Sequence, residues 1–483
     1  MNKYFGKAIA YSAGNIFNKF LLLFLLPIFT HLLKPEEYAI YVNLTVFISF
    51  ANLIYFLGIQ QSLFSHFYIR KNDDYKFTLI SSIYVTIAVF GFFVSSLIIL
   101  FRNRIPFFLK ISANHPELFV FVAVICFADV IYGITLSIIN MQEKSINYAI
   151  LSSVKNLLFF ILVLIGYVLG KLSLFNIFLF LTISSVISAF VSLFDINGFL
   201  RTLKVQRKIV FSFSIMKSVL SFGLVMIPGT FSMIILRLAD RYMLTYLSPN
   251  SLHDVGIYAI GYRVGTIMQF PVSIVSLAFF PYAMKIGNSP QAKDSYRRIF
   301  RYFTVFGAIF GFLIILFSPE IFLIFIAQPY HEAIKIVFAG VISFYLLGIF
   351  NIINLNFYVD KKAGKIATAV ILGALLNIIL NFIFIPRFGI YGAGIASVIA
   401  YLFIVIYNFY FERKFYHTGY KMLPVSIALV LLLSVAALNF VLSTNTTLIF
   451  FKMLFLLVLL ALFFVYWKKG KRMEIFSTIL KKD

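Results

Sequence analysis

From Ala8 to Leu33 the chain carries one lysine, Lys19, and no carboxylate, and apolar runs of comparable length recur to its end. A helix crossing a bilayer needs about 20 mostly apolar residues, so the recurrence predicts a bundle of membrane-spanning helices. Only 12% of residues are charged and 62% are hydrophobic, with a mean hydropathy of +0.99. A soluble domain carries roughly 25% charged residues to hydrate its surface. Most of this exterior must therefore face lipid, and the fold class expected is all-α integral membrane. The basic opening Met1–Lys7 followed directly by a long apolar run reads as an uncleaved first helix, since a signal peptide has an apolar core of about 7–15 residues. A single cysteine, Cys126, excludes an internal disulfide and a cysteine metal site.

Hydropathy and helix breakers place about fourteen spans, near 8–33, 38–65, 78–101, 117–139, 146–169, 172–196, 217–247, 255–284, 299–317, 333–358, 366–385, 390–411, 423–443 and 447–467. The net charge of +24 then has a plain explanation. Alternate connections hold about four cations for each one in the remaining connections, the signature of the positive-inside rule. Both termini are expected in the cytoplasm, which requires an even number of spans. Nucleic-acid binding needs basic residues on a folded soluble surface, and no such domain is present.

Two basic connections are longer than the rest, 197–216 and 285–298. The first is read as a topological linker, with Arg201–Lys208 also suited to lie along an anionic leaflet as an amphipathic helix. It divides the chain into six-helix lobes at 1–196 and 217–412, followed by a trailing helix pair at 413–467 and a basic tail at 468–483. A weak internal repeat crosses the linker. Ser12-Ala13-Gly14 matches Ser221-Phe222-Gly223, Glu37–Tyr41 matches Asp254–Tyr258, and Lys144 with Asn156 matches Lys365 with Asn377. Parallel repeats of this kind place a transport site between the halves.

No enzyme constellation appears. Asp73-Asp74 reads as a solvated loop among Arg70, Lys71 and Lys76, and Glu36-Glu37 as favourable charge at a helix start. There is no metal-ligand spacing, no phosphate-cradling glycine loop and no outer loop large enough for a domain, so neither a metal nor a cofactor is expected. Charges inside the spans are the better lead, because each is costly unless it faces protein or water. Lys19 lies about 17 Å into its helix at 1.5 Å per residue, with Asn15 one turn before it on the same face. Arg263 is deep in the eighth span. Arg237, Asp240 and Arg241 stand at i, i+3 and i+4, as a local ion pair or as the mouth of a cavity. Asp129 sits mid-span, paired with Lys19 or Lys155 or acting as a proton site. The balance of these groups is cationic, which suits phosphate or pyrophosphate on a lipid carrier.

The opening Ser12-x-Gly14, Lys19, Pro27–Leu33 and Pro35-Glu36-Glu37-Tyr38-Ala39-x-Tyr41 resembles that of polysaccharide-lipid flippases, including the O-antigen flippases of the MOP exporter superfamily. Asp240-Arg241, Gly256-Ile257-Tyr258 and Gly389–Ser397 are similar to later segments of that family; His31 and Ala39 stand where it commonly has arginine and glycine. The resemblance implies a V-shaped, alternating-access bundle moving an undecaprenyl-pyrophosphate-linked oligosaccharide outward across a bacterial inner membrane. The substrate contacts are then Lys19, Arg263, Arg237, Arg241 and Asn15, with Asp129 and Asp240 as coupling groups. Membrane lipids and polysaccharide polymerase and chain-length machinery are the expected partners. The rival readings are a multidrug exporter of the same superfamily and a membrane oligosaccharide polymerase or ligase.

Overall fold

The computed structural model describes residues 2–441 apart from 70–71, 109, 111–115, 143, 204–210, 288 and 361. Among these residues the chain is helical throughout, without a β-strand. The helices are α1 (Asn2–Leu32), α2 (Pro35–Phe56), α3 (Ile59–Ile69), α4 (Asp73–Leu100), α5 (Ile105–Phe108), α6 (Leu118–Met141), α7 (Ser145–Val168), α8 (Leu174–Thr202) and α9 (Phe213–Leu247). They continue as α10 (Ser251–Gly265), α11 (Gln269–Ile286), α12 (Pro290–Leu316), α13 (Ser318–Phe325), α14 (Val337–Ile353), α15 (Leu355–Val359), α16 (Ala363–Phe415) and α17 (Leu423–Val441). Nine helices among the described residues are long and apolar enough to cross a membrane by length and composition. Counting the shorter or broken ones, thirteen of the expected fourteen rods are present. The fourteenth span at 447–467, Lys452 within it, the tail at 468–483 and most of the expected linker helix lie outside the described residues.

The starts of the rods follow from local chemistry. Pro35 opens α2, where the Lys34 amide donates to Glu37 Oε2 at 3.1 Å. Asn72 caps α4 by accepting from the Asp74 amide at 2.9 Å. Asp73 and Asp74 are therefore the first turn of a helix rather than a solvated loop, and their charge complements the helix dipole. Ser289 caps α12 and Pro290 occupies its first turn. The basic segment expected as a connection over 285–298 is thus mostly helix, because its cations sit on the polar end of an amphipathic rod.

Three rods break where one was expected, the tenth at Asn354 between α14 and α15. Leu57 at φ 48° and Gly58 at φ 68° interrupt the second span between α2 and α3. A 3-10 turn at Thr266–Met268 divides the eighth between α10 and α11. Conversely, α16 is two spans joined at Gly389, whose φ of 55° and ψ of −130° turn the chain beside Pro386.

The exterior is apolar. Phe92 (71% exposed), Leu100 (73%) and Val168 (76%) present most of their surface outward, as a lipid-facing surface requires. This is a multi-pass membrane protein. We call the end that carries residue 2 the near end and the end that carries the α1–α2 turn the far end.

The helices before α9 meet α9 and those after it along one long seam. At the far end α2 and α10 touch backbone to backbone: a methyl group at Gly256 would lie 2.1 Å from the Pro35 carbonyl oxygen. Still in the far-end half, Asn43 Nδ2 donates to Thr245 Oγ1 at 2.9 Å and the Tyr242 hydroxyl donates to the Asn43 carbonyl at 3.0 Å. Toward the near end Gly58 meets Gly223 just as closely, and His66 Nε2 lies 3.0 Å from Ser218 Oγ.

Candidate functional site

Three of the cations singled out in the sequence, Lys19, Arg237 and Arg263, come together where α1 meets α10 and α11. Lys19 Nζ, on the half-buried face of α1, donates to Ser273 Oγ of α11 at 2.6 Å. Arg263, in the last turn of α10, sends Nη2 back to the Leu22 carbonyl of α1 at 3.4 Å. These two bonds link positions 254 and 241 residues apart. They fix the two cations across the meeting of the two parts of the chain. Beside them Phe20 and Phe270 stack with centroids 4.5 Å apart. Arg237 on α9 is exposed and within electrostatic reach of the Lys19 ammonium. The side chain of Asn15 lies outside the described residues.

Arg241 is held differently. It is 7% exposed, its Nη1 donates to the Arg237 carbonyl at 2.6 Å, and its guanidinium lies 5.3 Å and 4.7 Å from the ring centroids of Tyr258 and Tyr262. Facing two ring faces, the cation is stabilised without a carboxylate.

Of the two readings of Arg237, Asp240 and Arg241, the local ion pair does not form among the described residues. Asp240 is fully buried and accepts from three neutral donors instead. Asn381 Nδ2 reaches Oδ1 at 2.8 Å, while the Tyr258 hydroxyl and Ser397 Oγ reach Oδ2 at 2.7 Å and 2.6 Å. Asn381 also donates to Asn377 Oδ1 at 3.2 Å. One carboxylate thus ties α9 to α10 and to both arms of α16. Asp129 of α6 pairs with Lys155 of α7 at 2.5 Å, each largely buried, which is one of the two pairings its mid-span position suggested.

The charge that remains available is therefore cationic. Both described mid-span carboxylates are engaged, whereas Arg237 is open and Lys19 and Arg263 each spend a bond on a neutral acceptor. Guanidinium and ammonium groups set close together suit an anion with several oxygens, each able to accept a charge-assisted hydrogen bond. Among the described residues no group of three or more His, Cys, Asp or Glu is placed to hold a metal. Sequence reasoning missed Ser273 and the partners of Asp240. Tyr258 and Ser397 lie in segments that carried the family resemblance, and Asn377 in the repeat, but nothing local marks them as ligands of one carboxylate.

The chain belongs to the polysaccharide biosynthesis protein family, whose profile matches residues 6–286. An uncharacterized membrane protein of Methanocaldococcus jannaschii is 23% identical over 359 residues, covering 72% of this chain and 63% of that relative. The chain thus spans somewhat less than two thirds of that curated relative's length. Among solved structures, the lipid II flippase MurJ in an inward closed conformation superposes with a TM-score of 0.75 at 16% identity, over 96% of this chain and all of that one. An inward-facing multidrug resistance MATE family transporter of the MOP superfamily superposes with a TM-score of 0.67 at 16% identity, over 82% and 94%. The fold is that of these transporters.

Proposed function

We propose that this protein is a flippase that carries an undecaprenyl-pyrophosphate-linked oligosaccharide, the repeat unit of O-antigen or a related surface polysaccharide, from the inner to the outer leaflet of a bacterial plasma membrane. The observation that carries the reading is the cation set Lys19, Arg237 and Arg263, assembled across the meeting of the chain's two parts. A pyrophosphate brings several oxygens and more than one negative charge to such a set, and a sugar chain adds neutral acceptors and donors. In this reading 1–196 and 217–412 act as two lobes that rock about the cations, and the near end and both termini face the cytoplasm. The trailing helices over 413–467 then flank the route of the lipid tail. Asp129 and Asp240 are the coupling groups in this reading, each exchanging its present partners for an ion during transport. Polymerase and chain-length machinery are the partners that take the flipped unit.

A multidrug exporter of the same superfamily handles cations better with an open carboxylate in the cavity. Both mid-span carboxylates described here are engaged, which favours the anionic cargo. The test is export of surface polysaccharide from cells lacking the endogenous protein and complemented with Lys19→Ala or Arg263→Ala at matched membrane levels. Each substitution is expected to abolish most of the export. Unchanged export with both rejects the assignment.

A further inference from the structure

Where the second arm of α16 ends beside the break between α14 and α15, the fold buries a polar cluster that the transport reading does not use. Asn408 and Glu412 stand four residues apart on that arm, so they share one helix face, and both are fully buried. Asn408 Nδ2 donates to Asn354 Oδ1 at the α14–α15 break. Glu412 Oε1 accepts from the Thr418 amide at 2.9 Å, and Asn356 Nδ2 donates to Thr418 Oγ1 at 2.8 Å. Hydrogen bonds and helix register thus join Asn354, Asn356, Asn408, Glu412 and Thr418 into one patch, each at most 1% exposed.

What these bonds leave over points to a ligand. Glu412 Oε2, Asn408 Oδ1 and Asn354 Nδ2 are buried and make no hydrogen bond among the described residues. Each belongs to a side chain whose other polar atom is already fixed in the patch. The carboxylate is not neutralised by a neighbour either, since Glu412 forms no ion pair among the described residues. Lys293 Nζ donates instead to the Tyr416 carbonyl at 2.6 Å, Arg297 pairs with Asp294, and Lys362 lies 3.8 Å from Asp360. Arg413 and Lys414, next along the helix, are exposed. A buried charge without a partner is costly, and open carboxylate and amide oxygens are the donor set that hard cations take. Asn354 Oδ1 keeps a second lone pair for such an ion, and its amide nitrogen is placed to donate to a water that completes the shell. The single negative charge balances a monovalent ion, whereas a divalent one would leave an excess positive charge buried.

We propose that Glu412, Asn408 and Asn354 form a binding site for a monovalent alkali cation, sodium or potassium. The ion fastens the α14–α15 break to the end of α16. Through Thr418, which shares Glu412, it also steadies the turn at His417 (φ 51°) and Gly419 (φ 84°) that leads into α17. The site rests neither on the cargo assigned to Lys19 and Arg263 nor on the carboxylate of Asp240.

The experiment follows thermal unfolding of the full-length protein in neutral detergent, at one ionic strength, in sodium, potassium, choline or calcium chloride. A ligand that binds only the folded state raises the midpoint progressively with its concentration. Sodium or potassium is expected to raise the wild-type midpoint above that in choline, and Glu412→Gln to lose that rise. The same rise is expected to persist in Asp240→Asn, which separates this site from a coupling ion at Asp240. Asn408→Ala keeps the carboxylate and is expected to move the response to higher cation concentration; it remains a test if the glutamine variant does not fold. Equilibrium binding of radioactive sodium, or of rubidium in place of potassium, is expected to fall in Glu412→Gln, a readout that does not depend on intrinsic stability. A wild-type midpoint no higher in either alkali cation than in choline overturns the proposal. So does an undiminished response in both Glu412→Gln and Asn408→Ala, or a larger response to calcium than to sodium and potassium.

Discussion

Two buried carboxylates show how differently the same residue type is accommodated in lipid. Among the described residues Asp240 has no cation within its hydrogen-bonding shell and accepts from three neutral donors of α10 and both arms of α16. Replacing it by leucine leaves the Tyr258 hydroxyl, Asn381 Nδ2 and the Ser397 hydroxyl without their acceptor, and each orphaned buried group costs about 1–3 kcal/mol. Asp240→Leu is therefore expected to lower the thermal midpoint sharply in detergent, and Asp240→Asn, which keeps one acceptor oxygen, to lower it less. An unchanged midpoint in Asp240→Leu denies the carboxylate its packing role. Asp129 instead has one partner, Lys155, and together they form a closed pair. Breaking a buried pair from one side costs about 3–5 kcal/mol, whereas removing both members costs far less. Lys155→Ala is thus expected to destabilise more than the double variant Lys155→Ala/Asp129→Ala, measured by the same unfolding assay. Asp129's pairing was legible as one of three alternatives, because its cost mid-span is met by a cation, here Lys19 or Lys155, or by a proton. Asp240's partners were not legible, since they come from positions 18, 141 and 157 residues further on and no local pattern announces them.

At the level of helices, the apolar runs made the rods readable nearly end to end, because a bilayer imposes one length on all of them. What the pattern hid is where rods break. The Leu57–Gly58 interruption lies inside an apolar stretch, so hydropathy passes over it, although the glycine was in view. The same applies to the start of α12, where Ser289 and Pro290 signal a helix that the basic composition disguised. The break at Gly58 has a structural consequence: it allows α3 to lie against α9 through Gly223. A methyl group at Gly223 would stand 2.7 Å from the Gly58 carbonyl oxygen, a backbone atom that cannot swing aside. Gly223→Ala is accordingly expected to loosen the near-end half of the seam. Labelling of Ser218→Cys by a water-soluble maleimide, in a Cys126→Ala background, measures this directly. Faster labelling in the alanine variant is the expected result, and equal rates deny the glycine pair any part in closing that end.

For the molecule as a whole, the question is whether transport requires the seam to part. The far end is fastened by groups from both sides. Gly256 lies on Pro35, the Tyr330 hydroxyl donates to the Leu33 carbonyl at 2.9 Å, and Glu36 Oε1 lies 2.9 Å from His253 Nδ1. The last contact is half exposed, and ion pairs so placed contribute about 0–1 kcal/mol, so it marks the join without holding it. It is therefore a position where a covalent link can be introduced at little cost to the fold. In a Cys126→Ala background, Glu36→Cys/His253→Cys bridged by a short bis-thiol reagent tethers α2 to α10 at the far end. If cargo leaves by separation of these helices, the tether arrests export of surface polysaccharide while each single cysteine, treated alike, exports normally. A cleavable disulfide-containing tether should restore export after reduction, which separates arrest from damage. Undiminished export through a verified cross-link places the exit away from the α2–α10 contact, and the rocking of two lobes about Lys19 and Arg263 then gives way to a path opened along the α1–α11 side alone.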